Sequence, residues 1–357
     1  MVPVASEELN DRDYPLEQWY CAGFTEEVGE KPLARTICDR QIVFYRTQSG
    51  KLTALTNRCP HRKAPLSLGM VLGENIECPF HGMQFNPQGT CVTIPCQERI
   101  PPAAHIRSFP VAEQHGHIWI WMGLSQPDHA LIPDMHWMVD PALTAVHGSL
   151  DLGCNYLIAL DNLLDDTHLS FIHRNTIGTP KIAQAKIEVE GDDDWVGFTR
   201  WTLDTPPSAL HAKAGGFTTN VDRWFNVRFV KPGTVLIDVG SAPIGTGAPE
   251  GDRSHGIGLF SNHTVTPATS NTCHYFWHAA RDFSLGDAEL SENMRQHMIA
   301  TFIEDKDIVE AVQRNRECDR EKLPELNLTG DIVTLRARRI IAGLIQREGY
   351  VGQSQVA

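Results

Sequence analysis

The sequence predicts an α+β protein in two parts: a small all-β domain over residues 18–130, and a larger domain over 135–357 that combines an antiparallel sheet with long helices. Three observations lead there. Short alternating apolar runs joined by glycine-containing turns fill the first third of the chain. A proline-containing polar stretch, "SQPDHALIPD" at 125–134, then interrupts that pattern. Beyond it, strand-like runs lead into two long amphipathic patterns, without the regular strand–helix alternation of a parallel sheet.

The elements follow in chain order. "QIVFYRTQSGKLTAL" (41–55) alternates apolar residues around Ser49-Gly50, a hairpin signal. "RSFPVAEQHGHIWIWMG" (107–123) gives two more runs broken at His115-Gly116. In the second part, "DLGCNYLIALDNLLDDTHLSFIH" (151–173) has largely helical apolar spacing. Four segments, at 186–203, 223–242, 256–266 and 273–283, read as strands. The stretch 287–315 reads as a long helix with Met294, Met298, Ile299, Phe302 and Val309 on or near one face, and 331–349 as a final helix.

Composition narrows the function classes. The chain has 357 residues, 41% of them hydrophobic, enough for two ordinary cores. Its net charge of −13, with no long basic run, argues against a nucleic-acid partner. No apolar run approaches the ~20 residues that span a bilayer. The first residues are polar and acidic and lack an apolar signal core, so a cytoplasmic protein without a membrane partner is expected. Nine cysteines, an odd number in a long chain, do not suggest a disulfide framework. Seven of them read as small buried hydrophobes.

The other two stand beside histidines. Cys59-x-His61, sixteen residues, then Cys78-x-x-His81 places one thiol and one imidazole in each of two short loops. Zinc fingers more often pair cysteine with cysteine and histidine with histidine. A Rieske [2Fe–2S] centre needs two thiolates on one iron and two imidazoles on the other, so each loop must deliver one of each. Pro60 and Pro79 stiffen the loops, and Gly82 allows a tight path. "CPHR" and "CPFHG" resemble the Rieske motif of the oxygenase and ferredoxin branch, without the extra paired cysteines of the respiratory proteins.

A ferredoxin needs only the first domain. In the second, His168 and His173 stand five residues apart. They could share one metal if the helix bends or ends between them. Two histidines and a carboxylate on one face suit an iron that activates O₂. The residues themselves do not choose the carboxylate: Glu304, Asp305 and Asp307 all sit in "IEDKD".

Together "LIALDNLLDDTHLSFIH", "VDRWFNVRFVKPGTVLIDVG", "CHYFWHAARDF" and "FIEDKDIVEA" resemble the oxygenase component of the Rieske non-haem iron oxygenases. The likeness is to the vanillate O-demethylase group, with dicamba O-demethylase and toluenesulfonate methyl-monooxygenase as relatives. The resemblance implies a helix-grip-like catalytic domain and an Fe(II) held by His168, His173 and Asp305. It also implies a homotrimer in which Asp165 bridges His168 to His81 of the next subunit as an electron-transfer link. Asn162 is expected near the open side of the iron, and His263 matches a substrate-contacting histidine of the dicamba-type members. Gln296 stands near the place of their contacting tryptophan, which argues against the same pocket.

The implied activity is that of a terminal monooxygenase. It takes electrons from a separate NADH-dependent flavin/iron–sulfur reductase and uses O₂ to hydroxylate the methoxy methyl of a small aromatic acid, releasing formaldehyde. Methyl or ring hydroxylation of an aromatic carboxylate or sulfonate is the alternative. A non-catalytic Rieske electron carrier is a third reading. The chain has no GxGxxG fingerprint after a strand, consistent with a separate reductase. An anionic substrate needs a local cation, for which Arg200, Arg223, Arg228 and Lys231 are candidates.

Overall fold

The computed structural model describes residues 14–173, 187–321 and 325–354, and the acidic first thirteen residues lie outside them. The chain divides into two compact units. The first holds the residues through Ile132 together with 266–270, and the second holds Pro133–Val265 and Asn271 onward.

The first unit is all β. β1 (Trp19–Phe24), β10 (Val111–Gln114) and β11 (His117–Trp121) form one sheet in the order β1-β11-β10. β2 (Leu33–Ile37), β3 (Arg40–Arg46), β4 (Leu52–Thr56) and β9 (Ser108–Phe109) form a second. The expected hairpin at Ser49-Gly50 joins β3 to β4, and Gly50 takes φ +85° there. The break at His115-Gly116 is a two-residue turn between β10 and β11 with both residues at positive φ, the twist that suits a tight hairpin.

A third sheet carries the cluster motif: β5 (Met70–Leu72), β6 (Asn75–Glu77), β7 (Gln84–Phe85) and β8 (Cys91–Thr93), in sequence order. Its strands are two or three residues long, so the loops between them dominate. Leu55, Leu66, Ile76, Phe85 and Cys91 pack behind those loops as a buried core.

The second unit is built on one antiparallel sheet of seven strands. These are β12 (Thr144–Leu152), β13 (Glu188–Gly191), β14 (Trp195–Thr205), β15 (Val221–Val230), β16 (Thr234–Pro243), β17 (Ile257–Thr269) and β18 (Thr272–Arg281). Their order is β12-β18-β17-β16-β15-β14-β13. The helices are α1 (Tyr156–Leu164), α2 (Ala209–Gly215), α3 (Ala288–Cys318) and α4 (Ile332–Ser354). α3 packs on β12, α4 on β14, and α1 lies against both α3 and α4.

Register fixes which side chains share the helix-covered face, because residues directly opposite in antiparallel strands point the same way. One row across β14, β15, β16 and β17 is Val196, Phe229, Val235 and His263. All four are buried. Two rows further along come Arg200, Phe225, Val239 and Leu259, followed by Thr202, Arg223, Ser241 and Ile257.

Two expectations need correction, and one strand was not expected. Residues 151–152 belong to β12 and not to a helix; α1 starts only at Tyr156, with Asn155 as its N-cap accepting from the Leu157 N–H. β12 itself escaped notice because its exposed face carries Ala145, His147, Ser149 and Asp151 around Gly148. Cys96 and Cys318 are exposed, so five of the seven remaining cysteines are buried hydrophobes, not all seven.

A candidate Rieske cluster and mononuclear iron centre

The two cluster loops are built alike. The Cys59 N–H donates to the Ala64 carbonyl (2.9 Å), and the Cys59 carbonyl accepts from Lys63 (3.0 Å). The Cys78 N–H donates to Met83 (2.8 Å), and the Cys78 carbonyl accepts from Gly82 (3.1 Å). Lys63 and Gly82 occupy the same left-handed position, φ +63° and +67°. A Cβ on Gly82 would lie 2.9 Å from Pro95 Cγ, which explains glycine in the second loop.

This pairing sorts the four side chains by chemistry. Cys59 and Cys78 are buried, 2% exposed each, and the Cys59 thiol donates to Met83 Sδ at 3.8 Å. His61 and His81 are exposed, with ring centroids 4.6 Å apart. Two thiols inside and two imidazoles outside is the donor set a Rieske cluster takes. Burial pushes the Cys59 thiol up to about 11, so its ionisation depends on a cationic centre at the sulfur.

The second site forms where α1 ends. Asp165 is the C-cap, and a short 3₁₀ turn, Thr167–Ser170, follows with His168 inside it and His173 just beyond. The helix therefore ends before both histidines, and the 3₁₀ turn brings them together with ring centroids 5.2 Å apart. Asp305 on α3 meets them. Its Oδ1 lies 3.0 Å from His173 Nε2 and 3.6 Å from His168 Nε2. One donor atom from each residue falls within 4.8 Å of the other two.

The outer ring nitrogens settle the tautomers. His168 Nδ1 bonds the Asp165 backbone carbonyl, and His173 Nδ1 bonds Glu304 Oε2 at 2.8 Å. A carbonyl and a carboxylate only accept, so both Nδ1 atoms donate and both Nε2 lone pairs face Asp305. Asp305 Oδ1 is buried and accepts no hydrogen bond among the described residues. Three acceptors pointing at one another are unfavourable unless a cation lies among them, and two histidines plus one carboxylate suit Fe(II). Burial pulls His168 below its ordinary value. Burial also pulls on His173, but the neighbouring Asp305 and Glu304 carboxylates outweigh it and raise the ring.

The remaining expected residues divide. Asn162, on α1, lines a small cavity with Asp305, Tyr275, Phe302 and Lys306. Asp165 differs from expectation: its backbone carbonyl, not its carboxylate, holds His168. Its Oδ1 accepts from the Thr167 N–H (2.9 Å) and hydroxyl (2.6 Å), and its Oδ2 has no hydrogen bond among the described residues.

His263 also differs. It is 4% exposed, with Nδ1 bonded to the Tyr275 hydroxyl (2.6 Å) and Nε2 to Ser261 Oγ (3.1 Å). Both nitrogens are engaged, and Tyr275 rather than His263 faces the cavity. Burial drives the His263 pKa down to about 4, so the ring is neutral.

Sequence reasoning missed two features. Glu304 serves as the acceptor that orients His173, not as a competing ligand. Asp166 is buried on Arg200 (Nη1 to Oδ2, 2.7 Å), tying the 3₁₀ turn to β14. Burial raises the Asp166 carboxyl to about 6 against the pull of Arg200. A buried acid two residues before His168 leaves no periodic signal. The Asp165-x-Thr167 spacing, by contrast, is a readable turn motif.

Comparison with known proteins decides the family. Residues 18–110 match the Rieske [2Fe-2S] domain, and residues 152–347 match the vanillate O-demethylase oxygenase C-terminal domain. The chain belongs to the Rieske oxygenases. It is 41% identical to a putative toluene-4-sulfonate monooxygenase iron–sulfur subunit of Comamonas testosteroni, over 86% of this chain and 90% of that one. It is 36% identical to the oxygenase component of dicamba O-demethylase of Stenotrophomonas maltophilia, over 92% and 97%. The fold superposes on dicamba monooxygenase bound to dicamba with a TM-score of 0.86 at 35% identity, covering 94% of this chain and 98% of that chain. This Rieske oxygenase is the oxygenase component of a multicomponent monooxygenase with a [2Fe-2S] cluster and a non-haem iron, served by a separate reductase and acting on an aromatic substrate. No helix among the described residues is long and apolar enough to cross a membrane.

Proposed function

We propose that the protein hydroxylates the methoxy methyl of a small aromatic acid, which then collapses to a phenol and formaldehyde. The observation that carries this reading is the convergence of His168, His173 and Asp305 on one point beside a cavity lined by Asn162 and Tyr275. Iron held there supplies O₂ activation; the protein's own residues orient the ligands, exclude bulk water and position the substrate. Burial of His173 (1% exposed) and Asp305 (15%) supports that exclusion. Relatives named vanillate and dicamba O-demethylase support the choice of carbon.

Asp165 serves as the link to His81 of a neighbouring subunit in a homotrimer. Two features support this. His61 and His81 lie at the surface of their unit, so electrons leave through an exposed face. Asp165 Oδ2 is the oxygen left to receive an imidazole N–H. Electrons come from an NADH-dependent flavin/iron–sulfur reductase.

A second reading, methyl hydroxylation of an aromatic sulfonate or carboxylate, is favoured by one finding: the two toluene-4-sulfonate relatives are 41% and 39% identical, above the 34–36% of the demethylases. Purified protein, a compatible reductase, NADH and O₂ are incubated with methoxybenzoates and toluene-4-sulfonate. Formaldehyde release supports demethylation, whereas a hydroxymethyl product without formaldehyde moves the assignment to the second reading. An iron content of about two per chain, the cluster alone, would instead indicate an electron carrier.

A further inference from the structure

The four cations that the sequence offers to an anionic substrate have different fates in the fold. Arg200 is spent on Asp166. Lys231 pairs with Asp194 at 2.5 Å. Arg228 is exposed and lies over the Trp195 ring, 4.2 Å from its centroid. Arg223 differs from all three. It is half-buried and makes no hydrogen bond or ion pair with any described residue.

Its place on the sheet gives this meaning. Arg223 on β15 stands opposite Thr202 on one side and Ser241 on the other. All three share the face that carries Arg200. Arg200 stands opposite Phe225, so Arg223 is its diagonal neighbour, about 7–8 Å away by sheet geometry. Arg200 in turn holds Asp166, two residues before His168. Arg223 is thus the next cation along the sheet from the iron ligands.

Its cross-strand neighbours Thr202 and Ser241 are polar, and no acid among the described residues pairs with it. Ser241, wholly buried, bonds His211 Nδ1 through its hydroxyl at 2.7 Å. Burial, with Arg223 nearby, lowers His211 to about 4, so that ring is neutral. Phe225, on the same face and next in line, stacks with Phe198 at 6.0 Å between centroids. A guanidinium does not deprotonate in proteins, and a partly desolvated charge without a counter-ion is costly. The fork of donors matches the paired oxygens of a carboxylate or sulfonate.

We infer that Arg223 is the specificity-determining cation of this oxygenase: it receives the oxyanion of an aromatic carboxylate or sulfonate, with Ser241 and neutral His211 beside it. This rests on the proposed action on an aromatic acid and names the residue that selects the acid.

The test measures dissociation constants for the iron-loaded, full-length protein. The probes are toluene-4-sulfonate and 3-methoxybenzoate, with toluene-4-sulfonamide and 3-methoxybenzamide as uncharged counterparts. Arg223→Gln should weaken the anion that the wild type binds about 10–100-fold, the range for a hydrogen bond to a charged group. The uncharged counterpart should change less than about twofold. Arg223→Lys should recover part of the loss, because charge returns without the fork. The preferred anion separates sulfonate from carboxylate. Equal losses for charged and uncharged probes, or wild-type affinity in Arg223→Gln, overturn the inference while leaving the oxygenase reading intact. A wild type that binds no anionic probe overturns the inference together with the proposed action on an aromatic acid. Iron content and cluster absorption unchanged in the variants show that the loss is not one of folding.

Discussion

The Glu304–His173 hydrogen bond offers a quantitative test of how the iron site is held. The perturbation is Glu304→Ala, with Glu304→Gln as a graded companion. Glu304 is no ligand in this geometry; its Oε2 accepts from His173 Nδ1 at 2.8 Å and so aims Nε2 toward Asp305. Hydrogen bonds to charged groups contribute about 1.5–3 kcal/mol, and every 1.4 kcal/mol is a factor of ten. The Glu304 side chain is 32% exposed, so solvent competes and the lower end applies. Alanine should therefore weaken Fe(II) binding about tenfold, within the 10–100-fold typical for partners of metal-bound histidines. Glutamine keeps an acceptor without the charge and should cost about threefold, half of that free energy. The assay is equilibrium competition for Fe(II) against a chelator, with the cluster's visible absorption as an internal control. If both variants keep wild-type iron affinity within twofold, the carboxylate does not orient the ring and the argument is wrong. If alanine abolishes iron binding outright, Glu304 is a ligand and Asp305 has been misassigned.

Three further outcomes are expected. Gly82→Ala should lower cluster occupancy: the left-handed φ costs about 1–2 kcal/mol, and the new methyl meets Pro95 Cγ at 2.9 Å. Lys63 tolerates the same φ in the sister loop, so adding Pro95→Ala should restore most of the occupancy, and a double variant no better than the single would remove the steric account. Asp165→Asn should keep both metal centres, since Thr167 can still bond the remaining oxygen, yet slow substrate-dependent reoxidation of the cluster at least tenfold. Unchanged reoxidation would show that Oδ2 carries no link. His211 is buried and its folded pKa is about 4 against an ordinary 6.5, so the unfolded chain binds more protons between those values. Stability from this group is full above pH 6.5 and is lost as pH falls toward 4, about 2–3 kcal/mol by pH 4.5. Urea midpoints should therefore fall less between pH 7.5 and 4.5 in His211→Asn than in wild type, and parallel curves would contradict the assignment.

The order of strands and long helices was legible because it is written in local periodicity. The runs at 41–55 and 107–123 alternate around glycine, and the buried face of α3 repeats at helical spacing. β12 was not legible. It is half exposed with a glycine at its centre, and its partner β18 lies more than a hundred residues away. The Rieske domain was legible, and Cys59, His61, Cys78 and His81 stand out as its candidate ligands, because two thiols and two imidazoles in paired short loops leave few other uses. The mononuclear site could be read only in part. Two histidines are local, but the third donor comes from a helix over a hundred residues later, and helical spacing makes Glu304, Asp305 and Asp307 equal in the sequence.

By itself, then, the sequence determined the fold class, most of the strands and long helices, the Rieske motif and the histidine pair, since each depends on neighbours within a few residues. The tertiary structure alone decided what depends on long-range packing. It turned Asp305 toward both Nε2 atoms and Glu304 toward Nδ1, one residue apart on the same helix. It enclosed His263 behind Tyr275, though a histidine in a strand can face either way. It also sorted four indistinguishable cations into an ion pair with Asp166, a second with Asp194, a stacked surface arginine and one half-buried guanidinium without a partner among the described residues. Charge is a property of composition, but whether a charge is neutralised depends on which groups the fold brings within a few ångströms.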